Sequence, residues 1–172
     1  LIIALDCGIK AFEKVKYASS LGIDFIICDH HMPEEILPDA VAVLDPKRTD
    51  CNYPFKDLCG CGIGFKLVQA INNQLGLSDS ELIIYLDLVA TAIAADLVPL
   101  VGENRTLMFL GLKQLRENPR LGIKIFIKDL TRPLNVSDLA FIVAPRINAA
   151  GRMDHGINAC LLYTSPSPRD CQ

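Results

Sequence analysis

A chain of 172 residues that is 51% hydrophobic and 22% charged has the composition of a folded globular core, which excludes a disordered or fibrous chain. Its formal net charge of −3 hides an asymmetry: residues 1–104 hold 7 Lys/Arg against 15 Asp/Glu, a balance of −8, and residues 105–152 hold 9 against 3, a balance of +6. An acidic half followed by a basic one suggests a cation site beside a surface for a polyanion, with unevenly solvated faces as the alternative.

In chain order, the apolar run 1–5 reads as a buried strand that ends in Asp6. Helical spacing of Phe12, Val15, Ala18 and Leu21 predicts a helix over 10–21, stopped by Gly22, and 24–28 is the next strand. A β-α-β unit implies parallel strands with a right-handed crossover, so Asp6 and Asp29-His30-His31 leave the same edge of the sheet. A turn or short helix over 32–39 precedes a third strand at 40–44, which Asp45-Pro46-Lys47-Arg48 ends. Gly60-Cys61-Gly62-Ile63-Gly64 leads into a helix over 63–75, and Ser78 to Glu81 supply caps for a long, nearly all-apolar helix ending near Ala95. That stretch carries Asp87, Asp96 and Pro99, so it reads as a buried helix and not a membrane span. An amphipathic helix is expected over 104–117, and Ser137 or Asp138 caps one more helix. Seven scattered cysteines, odd in number, read as mostly buried thiols in a reducing, cytoplasmic interior. No secretory signal is visible. The expected fold class is α/β, a parallel sheet flanked by helices over 1–103, then connecting helices and a contact loop over 104–160. The tail 161–172, with Ser165-Pro166-Ser167-Pro168, reads as a non-native or disordered segment.

The residues that carry chemistry begin with Asp6 and Asp29-His30-His31. Anionic oxygens suit a divalent cation, and imidazole nitrogens tilt selectivity from Mg²⁺ toward Mn²⁺. For Asp6 alone a strand-end cap is the commoner reading. Asp96 sits in a deeply apolar stretch, where an unpaired carboxylate is expensive; it needs a structural partner or a metal, and both stay open. Asp87 reads as a surface or capping residue. The backbone of Gly60 to Gly64, with Gly62 and Gly64 at its centre, could cradle a phosphate, although tight helix packing explains the glycines at least as well. It is no P-loop, because Lys66 is followed by Leu67. Arg146, Asn148, Gly151 and Arg152 lie in a predicted loop of small residues (144–153) that suits phosphate contact, with a solvated loop as the alternative.

Together, Asp29-His30-His31 after a strand, the upstream Asp6-Cys7-Gly8, the Asp96 segment, Gly60-Cys61-Gly62-Ile63-Gly64-Phe65-Lys66 and Pro145-Arg146-Ile147-Asn148-Ala149-Ala150-Gly151-Arg152 resemble the DHH phosphoesterases. More narrowly, they resemble the bacterial RecJ single-stranded-DNA exonucleases over residues 1–160. The resemblance implies that Asp6 bridges two metals and that His30 and Asp96 are ligands of one of them. It also implies that His31 meets the scissile phosphate with Asp29 in support, and that Arg146, Asn148 and Arg152 face the DNA backbone. The implied activity is 5′→3′ hydrolysis of single-stranded DNA in recombination and repair, with Mn²⁺ or Mg²⁺ as cofactor and no membrane. It names no protein partner. The family's first Asp-rich motif has no counterpart here, so the chain is expected to be a fragment that is inactive alone. The alternatives are a phosphoesterase for short oligonucleotides, cyclic dinucleotides or pyrophosphate, and a metal-free scaffold binding DNA or replication proteins. A nucleotide-binding module built on the glycine turn is more distant.

Overall fold

The computed structural model of the chain describes residues 1–153, with side chains through Ala149; the expected tail at 161–172 lies outside the described residues. Contacts divide the chain into two compact units, one of Leu1–Leu82 with Val98–Arg105, the other of Ile83–Leu97 with the residues from Thr106 on.

The first unit is built on a three-stranded parallel sheet of order β1-β2-β3, formed by Ile2–Leu5, Phe25–Cys28 and Ala42–Leu44. Helix α1 (Phe12–Ser20) connects β1 to β2 and buries Val15 and Ala18, two of the positions its apolar spacing marks. The centre of the core is β2, where Ile27 and Cys28 have no exposed surface. Among the described residues β1 pairs with β2 alone, and in this chain Ile2, Ile3 and Leu5 are 41%, 46% and 51% exposed. The ladder continues one residue past the strands, Asp6 N–H donating to Cys28 O (2.9 Å) and Asp29 N–H to Leu44 O (3.0 Å). The register Leu5–Cys28–Leu44 therefore sets Asp6, Asp29 and Asp45 side by side at the carboxyl edge of the sheet.

Helix α2 (Gly60–Gln74) starts three residues earlier than expected, so its glycines lie within its first turns and not in a loop before it. Cys59 caps it, its sulfur accepting from the Gly62 N–H. Gly64 meets Leu5 of β1, where an added Cβ would lie 3.0 Å from a Leu5 methyl; absence of side chains on this face lets α2 pack closely on the sheet.

In the second unit, the long apolar helix is interrupted. Asp79–Tyr85, which begins in the first unit, forms a 3₁₀ segment, and α3 runs only over Leu86–Ala95. Adjacent β-branched Ile83 and Ile84 and aromatic Tyr85 are poor helix formers, and these three residues stay partly exposed. Helix α4 (Gly102–Glu117) crosses α3 at Gly111, whose absent Cβ would lie 2.3 Å from the Leu86 carbonyl oxygen. Asp87 is no surface residue: it has no exposed surface and its carboxylate meets Arg120 Nε at 2.7 Å, just before α5 (Leu121–Ile127). Burial pushes the Asp87 carboxyl up, against the pull of Arg120. After Asn135, which forms a reciprocal cap with Asp138, helix α6 (Val136–Asp138) passes into a wide π segment at Leu139–Val143 and then α7 (Ala144–Met153). The expected loop at 144–153 is thus a helix. Pro145 lacks an N–H and crowds the carbonyl four residues back, and the widened turn just before it accommodates both defects.

No disulfide joins the described cysteines; Cys28 and Cys59 are buried, but Cys7 is exposed and Cys51 and Cys61 are half-buried, fewer buried thiols than expected. No described helix is long and apolar enough to cross a membrane.

Candidate metal centre

Three consecutive residues after β2 do different work because the chain turns there. Asp29 points into the protein, 1% exposed, and its carboxylate gathers four donors. Oδ2 accepts the buried Ile9 N–H (2.9 Å), and Oδ1 accepts the backbone N–H groups of His30 (2.8 Å) and His31 (3.2 Å). Oδ1 also meets His31 Nδ1 at 2.6 Å. Burial alone would raise the Asp29 pKa, but these hydrogen bonds outweigh it and hold the carboxyl below its ordinary 3.8. An ionised Asp29 fixes a proton on His31 Nδ1 and leaves Nε2 as the basic or ligating nitrogen.

His30 turns the other way along the sheet edge. Its Nε2 lies 3.1 Å from Oδ1 of Asp6, and its ring meets that of His31 edge-on at 4.6 Å between centroids. Asp6 itself stands in the left-handed region (φ 64°), a conformation that Asp tolerates better than most residues and that turns the chain out of β1. The outcome is a cluster in which one ligand atom from each of Asp6, His30 and His31 lies within 4.8 Å of the others. One carboxylate oxygen and two imidazole nitrogens form a donor set of the borderline kind that suits Mn²⁺ and accepts Mg²⁺ less readily. These residues fit a divalent cation. Asp29 and His31 also line an open cleft of about 930 Å³ that carries Lys10 and Lys14 on its wall.

Sequence reasoning did not connect two further residues with this edge. Asp45, 3% exposed, accepts the Lys47 N–H through Oδ1, while Oδ2 is buried with no hydrogen-bond partner among the described residues. Burial first, and then the neighbouring Asp29 charge, push its carboxyl up against the pull of the Lys47 N–H. An acid just after an apolar run was the available signal, the same one that marks Asp6. Gly60 is the other: its Cα faces the Asp6 side chain so closely that a Cβ there would lie 2.2 Å from Oδ1.

The remaining expected site residues are spread over both units. Gly62 and Gly64 are buried in α2, the first beside Leu58 and Cys59 and the second against Leu5. Asp96 belongs to the second unit, where it ends α3 with its N–H on the Ala92 carbonyl. It is exposed, so the burial argument that singled it out does not apply. Arg146 and Asn148 are exposed on α7, Arg146 Nη1 donating to the Ile142 carbonyl (2.8 Å), and Arg152 falls in the last turn of the same helix.

The model of the DHH family, N-terminal domain, matches residues 1–93. The single-stranded-DNA-specific exonuclease RecJ of Bacillus subtilis is 46% identical over 169 residues, which cover 96% of this chain and 21% of that protein. Among solved structures, exonuclease RecJ bound to manganese superposes with a TM-score of 0.86 at 30% identity, covering 99% of this chain and 43% of that one. RecJ of Thermus thermophilus in complex with Mn²⁺ gives 0.85 at 29% identity, covering 99% and 26%. The chain thus spans about a fifth of the length of its Bacillus relative. With a parallel sheet whose carboxyl edge carries Asp6 and Asp29-His30-His31, and a family match over more than half its length, the chain belongs to the DHH family.

Proposed function

We propose that this chain is part of a metal-dependent exonuclease of the RecJ kind, which hydrolyses single-stranded DNA from the 5′ end. The observation that carries the reading is the convergence of Asp6, His30 and His31 within 4.8 Å at the end of a parallel sheet. The likeness to RecJ proteins solved with manganese supports the choice of cation. Intact donors at all three positions favour a nuclease over a metal-free scaffold.

In this reading Asp6 and His30 would hold Mn²⁺ or Mg²⁺, and Asp96 is a separate candidate ligand. Such ions, when bound, activate a water and neutralise charge developing on the phosphoryl group. The chain's own residues set the stage for that step. Asp29 locks His31 in one orientation and one tautomer, so that Nε2 can meet the scissile phosphate without reorganisation. Lys10 and Lys14, on the wall of the adjoining cleft beside Glu13, offer it ammonium groups that can pair with a phosphodiester. Arg146, Asn148 and Arg152 contact the DNA backbone from α7, on which Arg146 and Asn148 are exposed. Gly62 and Gly64 serve packing in this reading, since the Gly62 N–H already donates to Cys59 and both residues are buried in α2. Single-stranded DNA as partner and a cytoplasmic location belong to the same proposal, the latter supported by the scattered, odd-numbered cysteines.

The test uses the complete protein that carries this chain and a single strand labelled at its 5′ end. Mononucleotides are expected to be released from that end with Mn²⁺ and not with EDTA, and His30→Ala is expected to abolish release while leaving the circular dichroism spectrum unchanged. Near-normal turnover by His30→Ala removes His30 from the ligands. Preference for a dinucleotide or pyrophosphate over long strands moves the protein to the oligonucleotide or pyrophosphate branch of the family.

A further inference from the structure

We propose that Gly60 is a positioning residue for the metal centre: its bare Cα provides the space in which the Asp6 carboxylate turns toward His30. The inference rests on the reading of Asp6 as a metal ligand. A Cβ on Gly60 would lie 2.2 Å from Asp6 Oδ1, 2.6 Å from its Cβ and 2.6 Å from its Cγ. All three distances fall far inside van der Waals contact. The obstruction is therefore not to a loose side-chain tip but to the whole Asp6 side chain, on a residue already held at φ 64° by the turn out of β1. Neither partner can retreat cheaply. Gly60 opens a 15-residue helix fixed by the Cys59 cap and by Gly64 against Leu5. Asp6 is tied by its N–H to the Cys28 carbonyl.

Two consequences follow for the carboxylate. The contact limits its rotation, so that Oδ1 rests 3.1 Å from His30 Nε2, close enough for the two to share one ion. It also seats the negative charge against the amino end of α2, where the helix dipole favours an anion. A methyl group at position 60 would push the carboxylate away from both. The other glycines of this segment do not have this role: a Cβ on Gly62 meets only ordinary contacts at 3.4 Å or more, and one on Gly64 meets Leu5.

The experiment separates the metal reading from the contact. Mn²⁺ binding to the full protein is measured by electron paramagnetic resonance of the free ion, alongside thermal unfolding without metal, for the parent, Gly60→Ala, Asp6→Gly and the double variant. Gly60→Ala is expected to weaken Mn²⁺ binding by about tenfold or more, the size seen when a ligand's supporting contact is lost. In the metal-free protein, whatever stability Gly60→Ala loses is expected to return in the Asp6→Gly background, which removes the three atoms nearest the added Cβ. Mn²⁺ affinity of Gly60→Ala within twofold of the parent overturns the proposal. So does an equal loss of stability in both backgrounds, because the clash then lies elsewhere. A parent that binds no Mn²⁺ overturns the metal reading itself, and this inference with it.

Discussion

Asp29 is the place where a single substitution reads out the architecture of the site. Its carboxylate is 1% exposed and holds four donors, three from backbone and one from the His31 ring. A hydrogen bond to an ionised group contributes about 1.5–3 kcal/mol, but the donors at half-exposed His30 and exposed His31 can turn to water when the carboxylate is removed. The Ile9 N–H, on a residue 2% exposed, cannot. One buried bond lost in full and three partly replaced give roughly 3 kcal/mol for Asp29→Ala. Asp29→Asn keeps the shape and one acceptor but sets an amide NH₂ against a donor, for about 2 kcal/mol. Urea unfolding followed by far-ultraviolet circular dichroism at neutral pH measures both, from the shift of the midpoint at unchanged slope. The pH dependence adds a signature that simple loss of packing lacks. The folded-state pKa of Asp29 lies below its ordinary 3.8, so its contribution is complete above that value and is lost as the pH falls through the lower, folded one. The gap between parent and Asp29→Asn is therefore expected to hold from neutrality down to the unfolded value and to close below it. An alanine variant within about 0.5 kcal/mol of the parent, the range of a neutral surface change, would refute the view of Asp29 as organiser of the turn.

Two further outcomes are expected elsewhere. In the second unit, Arg120→Ala leaves Asp87 buried without its partner and is expected to destabilise by about 2–4 kcal/mol, whereas Asp87→Leu with Arg120→Met together lies near the parent. Thermal unfolding checks this, and equal losses in the single and double variants would contradict it. On α7, Arg146→Ala is expected to weaken binding to single-stranded DNA of every sequence alike and to reduce the salt slope of log K by about 0.7, as loss of one phosphate contact on a single strand does. Fluorescence anisotropy across a salt series measures it, and an unchanged slope removes Arg146 from the backbone contacts.

Much of the first unit is legible in the sequence because each element has a local cause. The helical spacing of Val15 and Ala18, the glycine stop at Gly22 and the apolar run of β2 identify themselves, and parallel pairing then follows from the crossover. The acids at strand ends align because the ladder fixes their register, so Asp6 and Asp29-His30-His31 could be placed together without coordinates. Where the reading went astray, the deciding partner was remote or the signal had two meanings. Asp87 looks like a surface acid until Arg120, many residues later, supplies the charge that makes its burial tolerable. The small residues of 144–153 read as a loop, and nothing local announces that the turn before Pro145 widens into a π segment and carries a helix past it.

Gly60 shows the same limit at the site itself. Its sequence neighbourhood offers three glycines at alternate positions, a pattern equally suited to holding a phosphate and to close packing of a helix. The structure gives them different neighbours: Leu58 and Cys59 for Gly62, β1 for Gly64, and the side chain of Asp6 for Gly60. A short-range pattern thus marks a segment where bulk is forbidden. Which atom forbids it is decided by the end of a strand far upstream, and only that atom turns a packing glycine into part of a metal site.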